Sequence, residues 1–182
     1  MAHLKLKKGF SIPLEGETQQ IISEAPFPVT VAIKPTDFHG AKFKLLVEPG
    51  DAVKIGTPLL YEKSNESIVL TSPACGTVKE ILRGERRRIE AVVIKTDGKK
   101  SAVNLRLEAN KVSKLKRDEI IKYLLKAGLF PAFIQRPFGT IANPEQIPRD
   151  IFISAMDTTP LAPHPNMFVD GSKEYFNTGL KV

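Results

Sequence analysis

The side chains that could do chemistry in this sequence are few, and they stand apart from one another. Cys75 is the single cysteine, which excludes an internal disulfide and an iron–sulfur cluster built by this chain alone. His3, His39 and His164 follow no metal-ligand spacing. The sequence has neither G-x-G-x-x-G nor G-x-x-x-x-G-K-[ST], so it has no motif that holds a dinucleotide pyrophosphate. We therefore expect no catalytic centre, no bound metal and no bound cofactor in this chain.

The stretch that must position any site runs from Phe43 to Thr96. It reads as short apolar strands interrupted at close intervals by turn residues, among them Pro49-Gly50-Asp51 and Ser64-Asn65-Glu66. Strands this short bury their apolar side only against a second layer of strands. The stretch therefore predicts two packed β halves.

The pattern V-x-x-G-D-x-V-x-x-G-x-x-L followed by S-P-x-x-G-x-V-x-x-I resembles the biotinyl/lipoyl hammerhead. The matching residues are Val47, Gly50, Asp51, Val53, Gly56 and Leu59, then Ser72, Pro73, Gly76, Val78 and Ile81. The resemblance implies a barrel-sandwich of about eight short strands, with a carrier lysine at the hairpin tip between its halves. Here Asn65 stands where a lipoyl acceptor would lie, and Lys63 lacks the flanking residues of those carriers. We expect the fold without the carrier chemistry and interpret Lys63 as a solvated turn residue.

The segments around this stretch divide the chain into three predicted regions. Residues 1–104 form the barrel-sandwich domain with an N-terminal β arm, for which His3–Lys7, Gln20–Ile22 and Val29–Ile33 are the strand candidates. Residues 105–150 form a helix and a connector rich in proline and phenylalanine. Residues 151–182 form the truncated start of an α/β, Rossmann-like domain. The predicted fold class is thus α+β, mostly β.

Three patterns define the region after the barrel. Ser113 is a plausible N-cap for an amphipathic helix that ends at Gly128. The unbroken apolar run Ile151–Met156 predicts a strand buried on both faces, as in a parallel sheet. Ser172 starts a further amphipathic helix. One strand and the beginning of a helix cannot form a free-standing α/β domain, so we expect a fragment of a longer polypeptide.

The formal charge of +7 allows an acidic partner, an anionic lipid or a nucleic acid. Basic residues concentrate in Arg83–Arg88 and in Lys111–Arg117, but no aromatic side chains alternate with them to stack on bases. Solvated turn and helix faces are the favoured interpretation, with docking on an acidic partner or lipid head groups second. A basic interaction domain that binds through Arg86, Arg87 and Arg88 stays an open hypothesis. The sequence contains no apolar window long enough to span a membrane, and from the lysine-rich start we expect no secretory signal.

The segment Arg136–Pro163 resembles the A subunit of the sodium-translocating NADH:quinone oxidoreductase family. The shared residues are Arg136-Pro137-Phe138 and Ala155-Met156-Asp157-Thr158-Thr159-Pro160-Leu161-Ala162, and the opening Leu6–Gly16 is similar as well. The resemblance implies a peripheral subunit on the cytoplasmic face of the bacterial inner membrane, in a six-subunit complex that passes electrons from NADH to ubiquinone and exports sodium. It implies that NADH, flavins and iron–sulfur centres lie on partner subunits, that ubiquinone binding is possible, and that nucleic acid is not a partner.

A quinone site needs an aromatic face for the ring and donors for the carbonyl oxygens. Phe133, Arg136 and Phe138 offer such a set on an irregular loop, and we take them as candidate quinone contacts. The alternative, which we favour at this point, is that the aromatic residues seal a junction between domains and Arg136 pairs with an acid such as Asp150. A lipoyl- or biotin-type carrier module is the competing hypothesis from another functional class.

Overall fold

The structure is a computed structural model. It describes residues 9, 14–16, 19, 21–103, 109–112, 114–154 and 159–181. The predicted strand at His3–Lys7, the proposed cap Ser113 and the end of the predicted strand at Ala155–Met156 lie outside the described residues.

Seven short strands form two antiparallel sheets within residues 30–96. The larger sheet has the order β1-β7-β6-β3 and the smaller one the order β2-β4-β5. The strands are β1 (Thr30–Ile33), β2 (Phe43–Leu45), β3 (Ala52–Val53), β4 (Pro58–Glu62), β5 (Val69–Thr71), β6 (Gly76–Arg83) and β7 (Ile89–Thr96). The predicted strand at Val29–Ile33 is confirmed as β1, which pairs with β7.

The apolar core lies between the two sheets. Leu59 and Leu60 on β4, Val78 on β6, and Val92 and Ile94 on β7 are all at most 1% exposed. Alternate residues of a strand point to opposite faces, and the start of β6 follows that rule, with buried and exposed residues in turn. Burying a side chain of this size stabilises the fold by about 1.5–3 kcal/mol before entropy is counted. The predicted barrel-sandwich is confirmed.

Gly76 marks the closest approach of two backbones in the barrel. Its φ is +155°, and a Cβ atom at this position would overlap the carbonyl oxygen of Lys95. Gly76 pairs with Val53 on one side and with Thr96 on the other. Only a residue without a side chain lets β6 start here, between β3 and β7.

The predicted helix is present, but it begins later than expected. α1 (Ala109–Val112) is a single turn, and α2 spans Arg117–Lys126. The backbone N–H of Lys116 donates to the Glu119 carboxylate at 2.8 Å, which fixes the first turn. The start predicted at Ser113 is therefore wrong by about one turn.

The helix end follows the prediction at Gly128. Gly128 has φ +69°, its N–H donates to the Leu125 carbonyl, and the Leu129 N–H donates to the Leu124 carbonyl. These two bonds make a Schellman motif, which satisfies carbonyls that the helix leaves open. A Cβ atom on Gly128 would crowd the Thr71 side chain on β5, so the end of α2 lies against the barrel.

The region after α2 has little regular structure. A 3₁₀ turn over Phe130–Ala132 precedes a two-strand hairpin, and two short helices follow; their bounds are β8 (Ile134–Gln135), β9 (Thr140–Ile141), α3 (Asn166–Val169) and α4 (Lys173–Leu180). The position of Ser172 immediately before α4 agrees with the prediction.

Two strand predictions are wrong. Ile151, Phe152 and Ile153 lie in irregular backbone and are 64%, 89% and 63% exposed. A strand buried on both faces needs neighbouring strands and a covering layer, and the described residues supply none for this run. Ile21 and Ile22 are likewise exposed and outside any strand, because their segment pairs with no described sheet edge.

Candidate functional site

The hairpin tip between β4 and β5 is organised around one buried carboxylate. Glu62 is 7% exposed, and its carboxylate accepts hydrogen bonds from the backbone N–H groups of Ser64 at 2.8 Å, Asn65 at 2.9 Å and Lys42 at 3.4 Å. The Ser64 hydroxyl donates a further bond to it. The carboxylate thus satisfies the amide groups of the turning backbone, as an aspartate does at a helix N-terminus.

The pKa of the Glu62 carboxyl reflects two opposed effects. Burial alone raises the pKa, because it disfavours the charged form, but the hydrogen bonds from Ser64, Asn65 and Lys42 favour that form and lower the pKa below its ordinary value of 4.5. The group is therefore an ionised structural anchor at neutral pH. Nothing in its surroundings makes it a general acid.

Asn65, which stands at the acceptor position, and the nearby Lys63 have different surroundings at the hairpin tip. The Asn65 side-chain oxygen accepts from the backbone N–H of Ser67 at 3.1 Å and from its hydroxyl at 2.6 Å. Lys63 is exposed at the base of the tip, where its backbone N–H donates to the Lys42 carbonyl at 2.7 Å. The outermost turn thus carries an amide side chain, and the nearest amine lies beside the strands.

The candidate quinone residues lie on the hairpin that joins β8 to β9. Phe133 precedes β8, Arg136 and Phe138 lie in the turn, and the Arg136–Pro137 peptide bond is cis. The Ala142 N–H donates to the Phe133 carbonyl at 2.8 Å, which closes the hairpin at its open end. Phe133 is 39% exposed and Phe138 is 69% exposed.

The structure separates these side chains rather than gathering them. The ring of Phe133 packs against that of Phe130, with centroids 5.5 Å apart, and Phe138 projects from the turn. Phe130, which the sequence did not single out, is the buried aromatic residue of this region at 6% exposure. Within the described residues, Phe138 therefore does not have the sealing role that we favoured, and Phe130 is the buried ring on which Phe133 packs.

The ion pair expected for Arg136 is also different. Asp150 pairs with its neighbour Arg149, with the nitrogen and oxygen 2.6 Å apart. Within the described ranges, no carboxylate lies within ion-pair distance of Arg136. Arg136 is exposed on the same hairpin as Phe133 and Phe138.

The two candidate regions face each other across one cavity. An open space of about 610 Å³ is lined on one side by Glu62, Ser64 and Asn65 of the tip, and on the other by Thr140 and Asn143 of the β9 segment. Phe133, Arg136 and Phe138 do not line it. The β9 side of the hairpin thus lies near the barrel tip, and the residues of its turn take no part in this cavity.

The described part of the chain contains no group of three or more His, Cys, Asp or Glu side chains placed to hold a metal ion. None of the helices in the described ranges is long and apolar enough to cross a membrane.

Comparison with known proteins covers nearly the whole chain. Residues 4–97 match the family described as the NqrA N-terminal barrel-sandwich hybrid domain, and residues 115–182 match the NqrA second alpha/beta domain. Curated relatives are named as the A subunit of the Na(+)-translocating NADH-quinone reductase: the protein from Marinomonas sp. (strain MWYL1) is 37% identical over 178 residues, and that from Pseudomonas aeruginosa PAO1 is 39% identical over 180 residues.

Each of these alignments covers 98% of this chain and 40% of the relative, so the chain spans well under half the length of the curated relatives that it matches. The family match runs through the barrel that the structure shows and through the region that carries the aromatic hairpin. On that basis, the chain belongs to the NqrA family.

Proposed function

We propose that this chain supplies the barrel-sandwich and adjoining α/β portions of the A subunit in a bacterial complex that transfers electrons from NADH to ubiquinone and exports sodium. The observation that carries the proposal is the alignment of 98% of the chain with the A subunit of the Marinomonas enzyme. In this function the chain is part of one of six subunits, peripheral on the cytoplasmic face of the inner membrane and attached through its partners. NADH, flavins and iron–sulfur centres belong to those partners.

The geometry supports a docking role better than a catalytic one. The only buried carboxylate among the described residues, Glu62, is occupied by amide groups of its own hairpin. The buried thiol of Cys75 donates to the Ser101 carbonyl, so it too is committed to the fold. Exposed apolar side chains such as Phe152 and Phe168 remain, and they are suited to contacts with other subunits.

The test of this role is complementation in membranes. A bacterial strain that lacks the A subunit should regain sodium-dependent oxidation of NADH by ubiquinone when the polypeptide that carries this chain is supplied. The matched control is the same polypeptide with Gly76→Ala, which should not fold. Recovery of quinone-linked activity without the added polypeptide, or no recovery with a folded one, would contradict the proposed function.

Within this function we propose that the β8–β9 hairpin touches ubiquinone through Phe133, Arg136 and Phe138. An exposed aromatic ring offers a face for the quinone ring, and a guanidinium without a carboxylate partner can donate to a carbonyl oxygen that gains negative charge on reduction. Because Phe138 and Phe133 lie apart, the two rings would not pack on each other. In this proposal both would contact the same bound quinone.

Phe138→Ala tests this contact in the assembled complex. We expect the KM for ubiquinone to rise about tenfold, since an aromatic contact and its buried area are lost, while NADH oxidation by an artificial acceptor stays unchanged. Phe168→Ala is the matched control, because Phe168 is 68% exposed against 69% for Phe138 and lies on α3. Equal KM values in both variants would remove the hairpin from the quinone site.

The carrier hypothesis has its own test. After co-expression of the chain with a lipoate ligase or a biotin ligase, intact mass should show an unmodified polypeptide, because Asn65 occupies the acceptor position. A mass increase that Lys63→Arg abolishes would establish the carrier function in its place.

A further inference from the structure

One concave surface in the described part of the chain is lined by basic residues. It encloses about 980 Å³ beside the barrel. Seven lysine and arginine residues line it and no aspartate or glutamate does, although the whole sequence has 20 acidic residues against 27 basic ones. The basic residues are Lys42, Lys44, Lys63, Arg83, Arg86, Arg87 and Arg88.

One wall of this basic cavity is positioned by β2 and the start of the hairpin tip. Phe43 is buried in the core, so its neighbours Lys42 and Lys44 face outward. The Lys63 N–H donates to the Lys42 carbonyl, which places the two lysines side by side, and the Lys44 ammonium lies 5.7 Å from the centre of the Tyr61 ring. The wall therefore carries three lysine side chains, one on β2 and two directly beside the ends of β2 and β4.

The opposite wall is the loop between β6 and β7. The Gly84 N–H donates to the Arg88 carbonyl at 2.9 Å, and the Arg83 guanidinium donates to the Arg87 carbonyl at 3.3 Å. These bonds turn the loop backbone on itself, so its arginine side chains project outward and all four are exposed.

Arg86 and Arg87 occupy a backbone conformation that arginine disfavours. Their φ values are +53° and +59°, in the left-handed region that glycine and asparagine adopt more readily. Two consecutive residues of this kind, next to a cavity, are the type of local strain that persists where it positions side chains for a ligand.

The charges of this cavity are not balanced from within the protein. Within the described ranges, none of its seven cations forms an ion pair with a carboxylate. Among the nearby acids, Asp37 pairs with Lys34 and the Glu62 carboxylate is bonded to amide groups of its own hairpin tip. Glu85 and Glu90 flank the arginine loop without lining the cavity. Like charges held together without counter-charges repel, and an anion in their midst removes that repulsion.

We propose that the basic cavity binds a ligand that carries two or more phosphate groups. Arginine presents a fork of donors that matches phosphate oxygens, and ammonium groups complete the neutralisation from the opposite wall. The volume is that of a site for a small molecule or a head group, rather than of a flat contact with a protein. The ligand would lie apart from the quinone hairpin, whose residues do not line this cavity.

Two probes test the proposal on the 182-residue chain. Inorganic tripolyphosphate, titrated in a calorimeter, stands for a free ligand, and vesicles that contain cardiolipin stand for a membrane head group with two phosphates. Vesicles that contain phosphatidylglycerol at the same total charge are the comparison. Binding of tripolyphosphate alone assigns a soluble ligand, and preference for cardiolipin over phosphatidylglycerol assigns a lipid head group. Binding of neither probe overturns the proposal.

The decisive variant is Arg86→Asn with Arg87→Asn. Asparagine tolerates the left-handed backbone, so the melting temperature should stay equal or rise, while affinity for the probe should fall about tenfold or more, because two charge-assisted donors are lost. The matched control is Lys122→Asn with Lys126→Asn, which removes the same charge from α2. Equal losses of affinity in the two double variants would show attraction by net charge alone and overturn the site.

Discussion

The barrel and the region after it differ in where their apolar side chains lie. Of the buried residues in the described ranges, only Phe130, Pro131 and Pro144 lie outside the barrel and its adjoining turns. In the region after the barrel, Phe152, Phe168 and Tyr175 are 89%, 68% and 75% exposed. In the barrel, each strand finds its partner among strands of the same stretch of chain. A short alternating strand needs one covering layer, but an unbroken apolar run needs neighbours and two layers. The barrel therefore buries its apolar side chains within itself, whereas the region after it leaves large apolar side chains exposed.

The largest expected effect that tests this difference is that of Gly76→Ala. The new Cβ would overlap the Lys95 carbonyl on a strand that cannot move without opening the barrel, so we expect a loss of more than about 4 kcal/mol in the free energy of unfolding, or no folded protein. Urea denaturation followed by circular dichroism measures it. Gly171→Ala is the control, because Gly171 also has positive φ but open space, and it should cost about 1–2 kcal/mol. Similar losses in both variants would contradict the close approach in the barrel.

A second pair of variants removes one large apolar side chain from each region. Leu60→Ala empties a site that is 0% exposed and should cost about 2–5 kcal/mol. Ile153→Ala removes a side chain that is 63% exposed and should change stability by no more than about 0.5 kcal/mol. Thermal and urea unfolding of both variants measure the contrast. A large cost for Ile153→Ala would mean that the run is packed, as the sequence predicted.

A smaller effect concerns the anchor of the hairpin tip. Glu62→Gln replaces a carboxylate that accepts from Ser64, Asn65 and Lys42, and should cost about 1–3 kcal/mol at neutral pH. Because the pKa of Glu62 is lowered in the folded state, its contribution is present above the ordinary pKa of 4.5 and is lost as the pH falls through the lowered folded value.

The measurement for Glu62 is the free energy of unfolding from neutral to acidic pH. The unchanged chain should lose more stability on acidification than the Glu62→Gln variant, and the two should converge in acid. Glu66→Gln is the control, since Glu66 lies on the same loop and is exposed. If Glu66→Gln loses as much stability as Glu62→Gln at neutral pH and shows the same pH dependence, the buried hydrogen bonds of Glu62 do not stabilise the tip.

The barrel could be predicted because local signals agreed with its global fold. Turn residues at close spacing and the hammerhead pattern identified the two layers, and Gly128 identified the end of α2 from the glycine preference of the Schellman motif. The strand predicted from the run Ile151–Met156 was wrong, because an apolar run shows that a segment can be buried but not what covers it.

The candidate sites were less predictable than the fold. Phe130 and Phe138 are the same residue type eight positions apart, and only tertiary packing decides that the first is buried and the second exposed. The basic cavity joins Lys42 and Lys63 to Arg86, which are distant in sequence. Pairing of β2 with β4 brings the two lysines together, and Arg86 comes from the loop between two strands of the other sheet. The dense arginine run was visible in the sequence, but its lysine counterpart was not.

The buried thiol of Cys75 can report how often the barrel opens locally. Cys75 is the sole sulfhydryl of the chain and is 3% exposed, with its sulfur directed to the carbonyl of Ser101. Since the sulfur is buried, an alkylating reagent can reach it only when the surrounding structure, including the contact with Ser101, opens locally. The half-life of labelling, measured by mass spectrometry, would therefore report the rate of those openings at one known sulfur atom, without an engineered probe.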